Sequence, residues 1–261
     1  MTSSVHGLDT EDLTSRVRAM YREVALHPER SFHFETGRSL AERLGYPPPE
    51  LDRIPAAAVE SFAGVGYFFD LAAIAPGETV LDLGSGSGMD SLLAAIATGP
   101  EGTVIGVDMT PEQLAKAGRL ADGAGLDHVA YRQGRIEEPP VAPGSVDCVV
   151  SNGVINLAPD KGAVFAAAAA ALRPHGRLAL ADIVSATELP AGVTCDASLW
   201  ASCIGGAMQR DRYLDSLERA GFEVLQLRTN DSYRFLSAQA VNASREFGVT
   251  SISLLARRRG G

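Results

Sequence analysis

ETVLDLGSGSGMDSLLAAIAT occupies residues 78–98, and its reading decides the fold. ETVLDLG is a short apolar run, the pattern of a buried strand. GSGSG follows at once, and MDSLLAAIAT then takes helical spacing. Glycines at 84, 86 and 88 let the backbone turn sharply and approach a ligand closely. Asp82 lies within the strand. Twenty residues past Gly88, Asp108 ends a second strand, TVIGVD, where a carboxylate can accept both hydroxyls of a ribose. Glycine loop and spaced carboxylate together point to a nucleoside pocket.

Outward from this stretch the pattern repeats. TPEQLAKAGRLADGAG reads as a helix, HVAYRQG as a third strand and SVDCVVSN as a fourth. A polar loop, SNGVINLAPDK (151–161), leads into a helix over 161–172, and GRLALADIV is a fifth strand. RDRYLDSLERAGF is helical, FEVLQLRT is a sixth strand and TSISLLARR a seventh. Strands alternating with helices predict a seven-stranded, mostly parallel sheet with right-handed crossovers. Residues 186–210 interrupt the alternation after strand five, so this insert is expected over the carboxyl ends of the strands, where open α/β sheets bind ligands. Before the sheet, residues 10–26 have helical spacing, HPERSFHFETG (27–37) breaks it, and SLAERLGYPPPE gives a short helix stopped by prolines. The expected division is an N-terminal helical cap over 1–72 and a sheet domain over 73–261 carrying the insert.

The bulk composition narrows the function. The chain has 261 residues, 46% of them hydrophobic and 21% charged, with a net charge of −9. That suits a globular protein with a full core, and an acidic balance argues against nucleic acid or an anionic membrane as partner. Three cysteines, Cys148, Cys195 and Cys203, form no zinc-type cluster, so no metal is expected. Cys148, within strand four, reads as a buried thiol packing as a small hydrophobe. MTSSVHGLDTEDL has no apolar leader core, and AVFAAAAAAL (163–172) is far short of a membrane helix. A cytoplasmic location with a small-molecule substrate is the expectation; a homodimer is left open.

The motifs resemble a known family. LDLGSGSG with VIGVD, GRIEEPP at 134–140, SVDCVVSN and LRPHGRLALAD together resemble the class I S-adenosylmethionine-dependent methyltransferases, over about residues 76–184. The resemblance implies a Rossmann-like fold and S-adenosyl-L-methionine as cofactor, with S-adenosyl-L-homocysteine as product. It places Gly84, Ser85 and Gly86 along the methionine portion and Asp82 by its amino group. Asp108 would hold the ribose, Met109 would stack near the adenine, and Ile136 and Glu137 would flank it. Asn152 would sit beside the methionine portion. A positive sulfonium suits an acidic pocket.

LGYPPPELDRIPAAAVESFAGVG, VIGVDMTPEQLAKA, SNGVINLAPDK and LWASCIGGAM narrow the resemblance to the arsenite methyltransferases, over about residues 40–225. That family holds soft, three-coordinate arsenic with thiolates. Its thiols fall in G-Cys-G, in S-N-Cys-V and in the insert. Here the first position is Val65, the second is Gly153, and only Cys203 is kept. The pocket is thereby more apolar and wider. Phe62, Tyr67, Phe68 and Phe69, Trp200 and Met208 in the insert, and Phe32 and Phe34 in the cap are the aromatic and apolar candidates around it. The substrate contacts expected are Phe32, Val65, Gly153, Trp200 and Cys203. The pattern is similar to bacterial indole C3-methyltransferases, so an aromatic, indole-bearing natural-product acceptor is the expectation, with arsenite methylation by a reduced thiol set, Cys203 and Cys195, as the alternative.

Methyl transfer from a sulfonium is an in-line displacement, served by holding the nucleophile ~3–3.5 Å from the methyl and excluding water. An indole carbon also needs its N–H proton removed, a step worth about 10²–10⁴ in rate. Tyr21 and His33 are the expected bases, with Glu35 as a further candidate.

Overall fold

The computed structural model describes residues 10–194, 200 and 204–260. Its centre is an eight-stranded sheet. β1 (Thr79–Leu83), β2 (Thr103–Asp108), β3 (Val129–Gln133), β4 (Val146–Asn152) and β5 (Leu172–Ser185) run parallel, in the order β3-β2-β1-β4-β5. β8 (Thr250–Arg258) pairs antiparallel with both β5 and β7 (Phe222–Thr229). The strand beyond the seven expected is β6, the two residues Met208–Gln209, which pair with Val184 and Ser185 at the end of β5. Two residues carry no periodicity that could be read from sequence. β6 also pins the end of the insert to the carboxyl end of β5, the edge where the insert was expected.

Burial explains the sequence pattern of the strands. β1 and β4 lie between neighbours on both sides and are almost wholly buried, which is why they read as continuous apolar runs. β3 and β7 form the edges and mix exposed with buried positions. Helices pack on both faces. α6 (Met89–Thr98) follows the glycine loop. α7 (Pro111–Gly123) starts with a proline in its first turn, and α8 (Lys161–Ala171) is capped by Asp160, whose carboxylate accepts the N–H of Ala163 at 2.9 Å. α10 (Arg210–Arg219) and α11 (Ala238–Phe247) complete the C-terminal half.

Before the sheet come α1 (Thr10–Leu26), α2 (Arg38–Leu44), α3 (Pro48–Leu51), α4 (Ala56–Glu60) and α5 (Phe69–Ala72). Val65 and Phe68 share a buried cluster with Val80, Ala94, Cys148 and Val150 of the sheet layer. Leu40, Tyr46 and Phe62 share another with Met89, Leu92 and Ala121 of α6 and α7. The N-terminal segment therefore packs its apolar side onto the sheet's own helices. Cys148 is fully buried, as its place in β4 predicts, and burial pushes its thiol up to about 12. Cys195 and Cys203 lie outside the described residues. A short α9 (Ala191–Thr194) lies between β5 and β6. Among the described residues no helix is long and apolar enough to cross a membrane.

Candidate functional site

In a parallel sheet of this order, β1 is the strand at which the crossovers change direction, and the crevice beside its carboxyl end is where such folds bind ligands. A cavity opens there. Its lining brings together residues from β1, the glycine loop, the end of β2, the loop after β3 and the loop after β4. Asp82, Gly84, Ser85, Gly86, Asp108, Met109, Ile136, Glu137, Asn152 and Gly153 all line it, although they span 72 positions of sequence. The β1–β4 pairing, with Leu83 beside Ser151, sets the glycine loop next to the SNG loop. Gly84 has φ 76°, and a Cβ there would lie 2.4 Å from Val154, so both its conformation and the closeness of the two loops require glycine.

The polar groups of the cavity fit a nucleoside with a cationic arm. Asp108 accepts the backbone N–H of Gly86 at 3.0 Å and of Thr110 at 2.8 Å, which fixes its carboxylate at the end of β2. Burial raises it above the ordinary carboxylate range against the pull of those donors. Asp82 is buried and accepts the Ser91 hydroxyl at 2.6 Å; burial and the neighbouring Asp90 push it up to about 8. The Ser85 hydroxyl is buried in the lining without a protein hydrogen-bond partner. Ile136 and Glu137 also line the cavity, and Arg135 pairs with Glu137 at 3.0 Å. Among the described residues no three His, Cys, Asp or Glu side chains converge on a metal position.

Asn152 does something the sequence did not predict. Its side-chain carbonyl accepts the N–H of Val65 at 2.8 Å, and its amide donates to Gly66 O at 3.0 Å, Tyr46 Oη at 3.0 Å and Asp90 Oδ2 at 3.1 Å. The residue lines the cavity, but its amide ties three segments together. Gly153 follows with φ 71°, and a Cβ there would meet Val65 Cγ1 at 3.1 Å. The two positions at which the resembling family carries thiols are therefore neighbours in space. Val65 itself is buried behind Gly153 and outside the cavity lining.

α1 closes the other side. Leu13, Thr14, Val17 and Tyr21 face the cavity. The carbonyl of Tyr21 accepts Gln113 Nε2 at 2.8 Å, and the Ser87 hydroxyl of the glycine loop donates to Gln113 Oε1. Gln113 thus joins α1 to the glycine loop through α7.

Several sequence candidates lie elsewhere. His33 and Phe32 are outside the lining; both pack on Phe34, which stacks on Tyr21 with ring centroids 5.8 Å apart. Glu35 is held by Arg43. Of the aromatic run 62–69, only Phe62 reaches the cavity, because Tyr67 and Phe69 turn onto Tyr46. Trp200 is buried at a second cavity shared with Met208; its indole N–H donates to Thr194 O at 2.6 Å and Lys161 Nζ stands 4.9 Å over its ring. The helical spacing of the cap does not say which face meets the sheet, so these side chains were beyond sequence reasoning. Asp90, Tyr46, Gln113 and Lys161 were missed. Asp90 had a readable signal, since it follows GSGSGM in the first turn of the helix. Tyr46 had none.

This fold and site define a class I S-adenosylmethionine-dependent methyltransferase. A sequence profile of the family described as "Methyltransferase domain" matches residues 74–221, and the chain belongs to that family. The arsenite methyltransferase of Halobacterium salinarum is 42% identical over 220 residues, covering 84% of this chain and 56% of that protein. The arsenite methyltransferase of Aquipseudomonas alcaligenes is 41% identical over 157 residues, 58% of this chain and 45% of that protein. The chain thus spans about half the length of these curated relatives. The crystal structure of an arsenic(III) S-adenosylmethionine methyltransferase from Chlamydomonas reinhardtii superposes with a TM-score of 0.65 at 29% identity, covering 86% of this chain and 74% of that one.

Proposed function

We propose that the chain transfers the methyl group of S-adenosyl-L-methionine to a small acceptor held beside Gly153, with arsenite as the leading acceptor. The single observation that carries methyl transfer is the cavity at the end of β1, where Asp82, the glycine loop, Asp108 and the SNG loop converge. The cofactor supplies an electrophilic methyl on a positive sulfur. The protein's part is to hold it in an acidic crevice and to exclude water with α1, Phe62 and the SNG loop.

Arsenite has the support of the relatives, whose names carry that activity, and no relative above is an indole methyltransferase. This chain keeps one thiol position, Cys203, with Cys195 nearby in sequence. The remaining sulfur ligands that arsenic requires would come from small thiols in solution.

A second reading rests on the absence of a thiol at both Gly153 and Val65, which are neighbours in space. Neither position carries a thiol, Val65 is buried behind the loop, and Phe62 and Leu157 give the lining apolar surface. That favours an aromatic organic acceptor, such as an indole carbon, with Tyr21 as the candidate base that lines the cavity.

One assay separates the readings. Labelled cofactor is incubated with arsenite plus glutathione, and in parallel with tryptophan derivatives and cyclic dipeptides. Methylated arsenic, lost in Cys203→Ser, supports the leading reading. Label on an indole carbon with none on arsenic replaces it by the second.

A further inference from the structure

Lys161 opens α8, and its ammonium stands where the loop after β4 meets the insert. The front of that loop is cavity wall: Gly153, Val154, Leu157, Ala158 and Pro159 line the cofactor cavity. Its back is held by side chains. Ile155–Leu157 form a single 3₁₀ turn, and the backbone N–H of Asn156 donates to Asp182 Oδ1 of β5 at 3.2 Å. Asp182 is itself buried and accepts the Tyr213 hydroxyl at 2.8 Å. Lys161 is 4% exposed, and its Nζ donates to the carbonyls of Asn156 at 3.1 Å and Ala158 at 3.0 Å. The same Nζ lies 4.9 Å over the ring of Trp200, a buried residue of the insert. The end of the insert runs directly against this turn, since a Cβ on Gly206 would lie 1.8 Å from Asn156 O. Pro159 lines both the cofactor cavity and the second cavity beside Trp200, so the loop is a partition between them. A buried ammonium that gives two hydrogen bonds to carbonyls and faces an aromatic ring is satisfied only while loop and insert keep this spacing.

We propose that Lys161 is a positioning residue for methyl transfer: it clamps the cavity wall at residues 157–159 to Trp200, so that the cofactor side and the insert keep one fixed spacing. The insert carries Cys203, and its part in holding the acceptor rests on the function proposed for this site. Lys161 is absent from the lining of the cofactor cavity, so it acts through the turn and the ring. The spacing matters because transfer depends steeply on the separation of nucleophile and methyl, and about 1 Å of misplacement costs on the order of 10²-fold in rate. Methionine at this position would fill much of the same space. It would leave the carbonyls of Asn156 and Ala158 without this donor and would remove the charge from the face of Trp200.

Trp200 is the only tryptophan of the chain, so its indole N–H, which donates to Thr194 O at 2.6 Å, gives a single NMR signal. It lies outside the lining of the cofactor cavity, so a ligand held there does not touch it. S-adenosyl-L-homocysteine titrated into the isotope-labelled protein should shift this signal as the cavity fills. Lys161→Met should bind the same ligand within about threefold by calorimetry and lose at least about half of the shift at saturation. An equal shift in the variant, or none in the unaltered protein, overturns the proposal. Turnover gives a second readout, with arsenite plus glutathione or with the indole panel. In Lys161→Met, kcat should fall about 10–100-fold while KM for the cofactor stays within about threefold. A raised cofactor KM with kcat kept would make Lys161 a cofactor-binding group and overturn the proposal. Should the variant fail to fold, the unaltered protein decides alone, because an indole signal unmoved at saturation overturns the clamp. Failure of every acceptor with the unaltered protein would sink the proposed function only, since the indole response requires no acceptor.

Discussion

Val65 and Asn152 are tied directly: the backbone N–H of Val65 donates to the Asn152 side-chain carbonyl at 2.8 Å. The same amide holds Gly66, Tyr46 and Asp90, so one side chain at the end of β4 joins the segment before the sheet to the first turn of α6. One side chain thus fixes the SNG loop against both the Val65 segment and the start of α6.

Asn152→Ala therefore removes several partners at once. It leaves the N–H of Val65 and one side of the Asp90 carboxylate without their donor or acceptor, which costs about 2–4 kcal/mol of stability. Urea unfolding measures this. Asn152→Asp is isosteric and sets a third carboxylate beside Asp90, and should destabilise more above pH 6 than at pH 5.

Gly153 and Val65 should be energetically coupled. Gly153→Ala places a side chain at φ 71° and sets its Cβ 3.1 Å from Val65 Cγ1. The left-handed backbone alone costs about 1–2 kcal/mol, and the contact adds to it. Val65→Ala removes the contact and leaves the backbone strain. A double-mutant cycle by thermal unfolding should show that Gly153→Ala costs less in the Val65→Ala background, by about 0.5 kcal/mol or more. Purely additive costs would mean that the two positions do not touch in solution. The same geometry makes Val65 the easier of the two positions at which to restore a thiol.

The fold was legible because its signals are local. Buried parallel strands read as apolar runs, and GSGSG with Asp108 marks the crevice without reference to the rest of the chain. The residues expected at the cofactor, from Asp82 to Asn152, line one cavity with Gly153, as the strand pairing requires. Long-range side-chain pairing was not legible. The expectation for Asn152 was a direct cofactor contact, and only three-dimensional proximity shows that its amide serves Val65, Tyr46 and Asp90. Trp200 was placed by its position in the insert at the acceptor, and it packs instead under Lys161 at a separate cavity. β6 is too short to carry periodicity at all.

Lys161 gives a prediction at high pH. It ends SNGVINLAPDK, is buried, and donates to the carbonyls of Asn156 at 3.1 Å and Ala158 at 3.0 Å. Burial lowers it to about 8, against the attraction of Asp182, Asp160 and Glu137. A folded value below the ordinary lysine value means that the unfolded chain binds more protons between about 8 and 10.5, so this group's contribution to stability improves as pH rises through that window. Relative to Lys161→Met, the unaltered protein should gain more than ~1 kcal/mol between pH 7.5 and 9.5. Paired urea titrations at the two pH values measure the difference, and a constant gap would place the ammonium in contact with water.

The Asp82–Asp90 pair predicts the opposite trend at lower pH in the free protein. Both carboxyls are raised by burial, Asp82 to about 8 and Asp90 to about 6. A raised folded value means that the folded chain binds more protons than the unfolded chain from about pH 4 upward. The stabilisation is complete below the ordinary carboxylate value and is lost as pH rises through 6 to 8. Other groups titrate in this range, so the variant supplies the reference: Asp82→Asn carries no titration at this position. Between pH 5.5 and 8 the unaltered protein should lose about 1 kcal/mol or more relative to Asp82→Asn. Saturating S-adenosyl-L-homocysteine should shrink that loss: the family resemblance puts its ammonium by Asp82, where a positive charge would stabilise the ionised form. A loss that persists undiminished with ligand bound would mean that the ammonium sits elsewhere in the cavity.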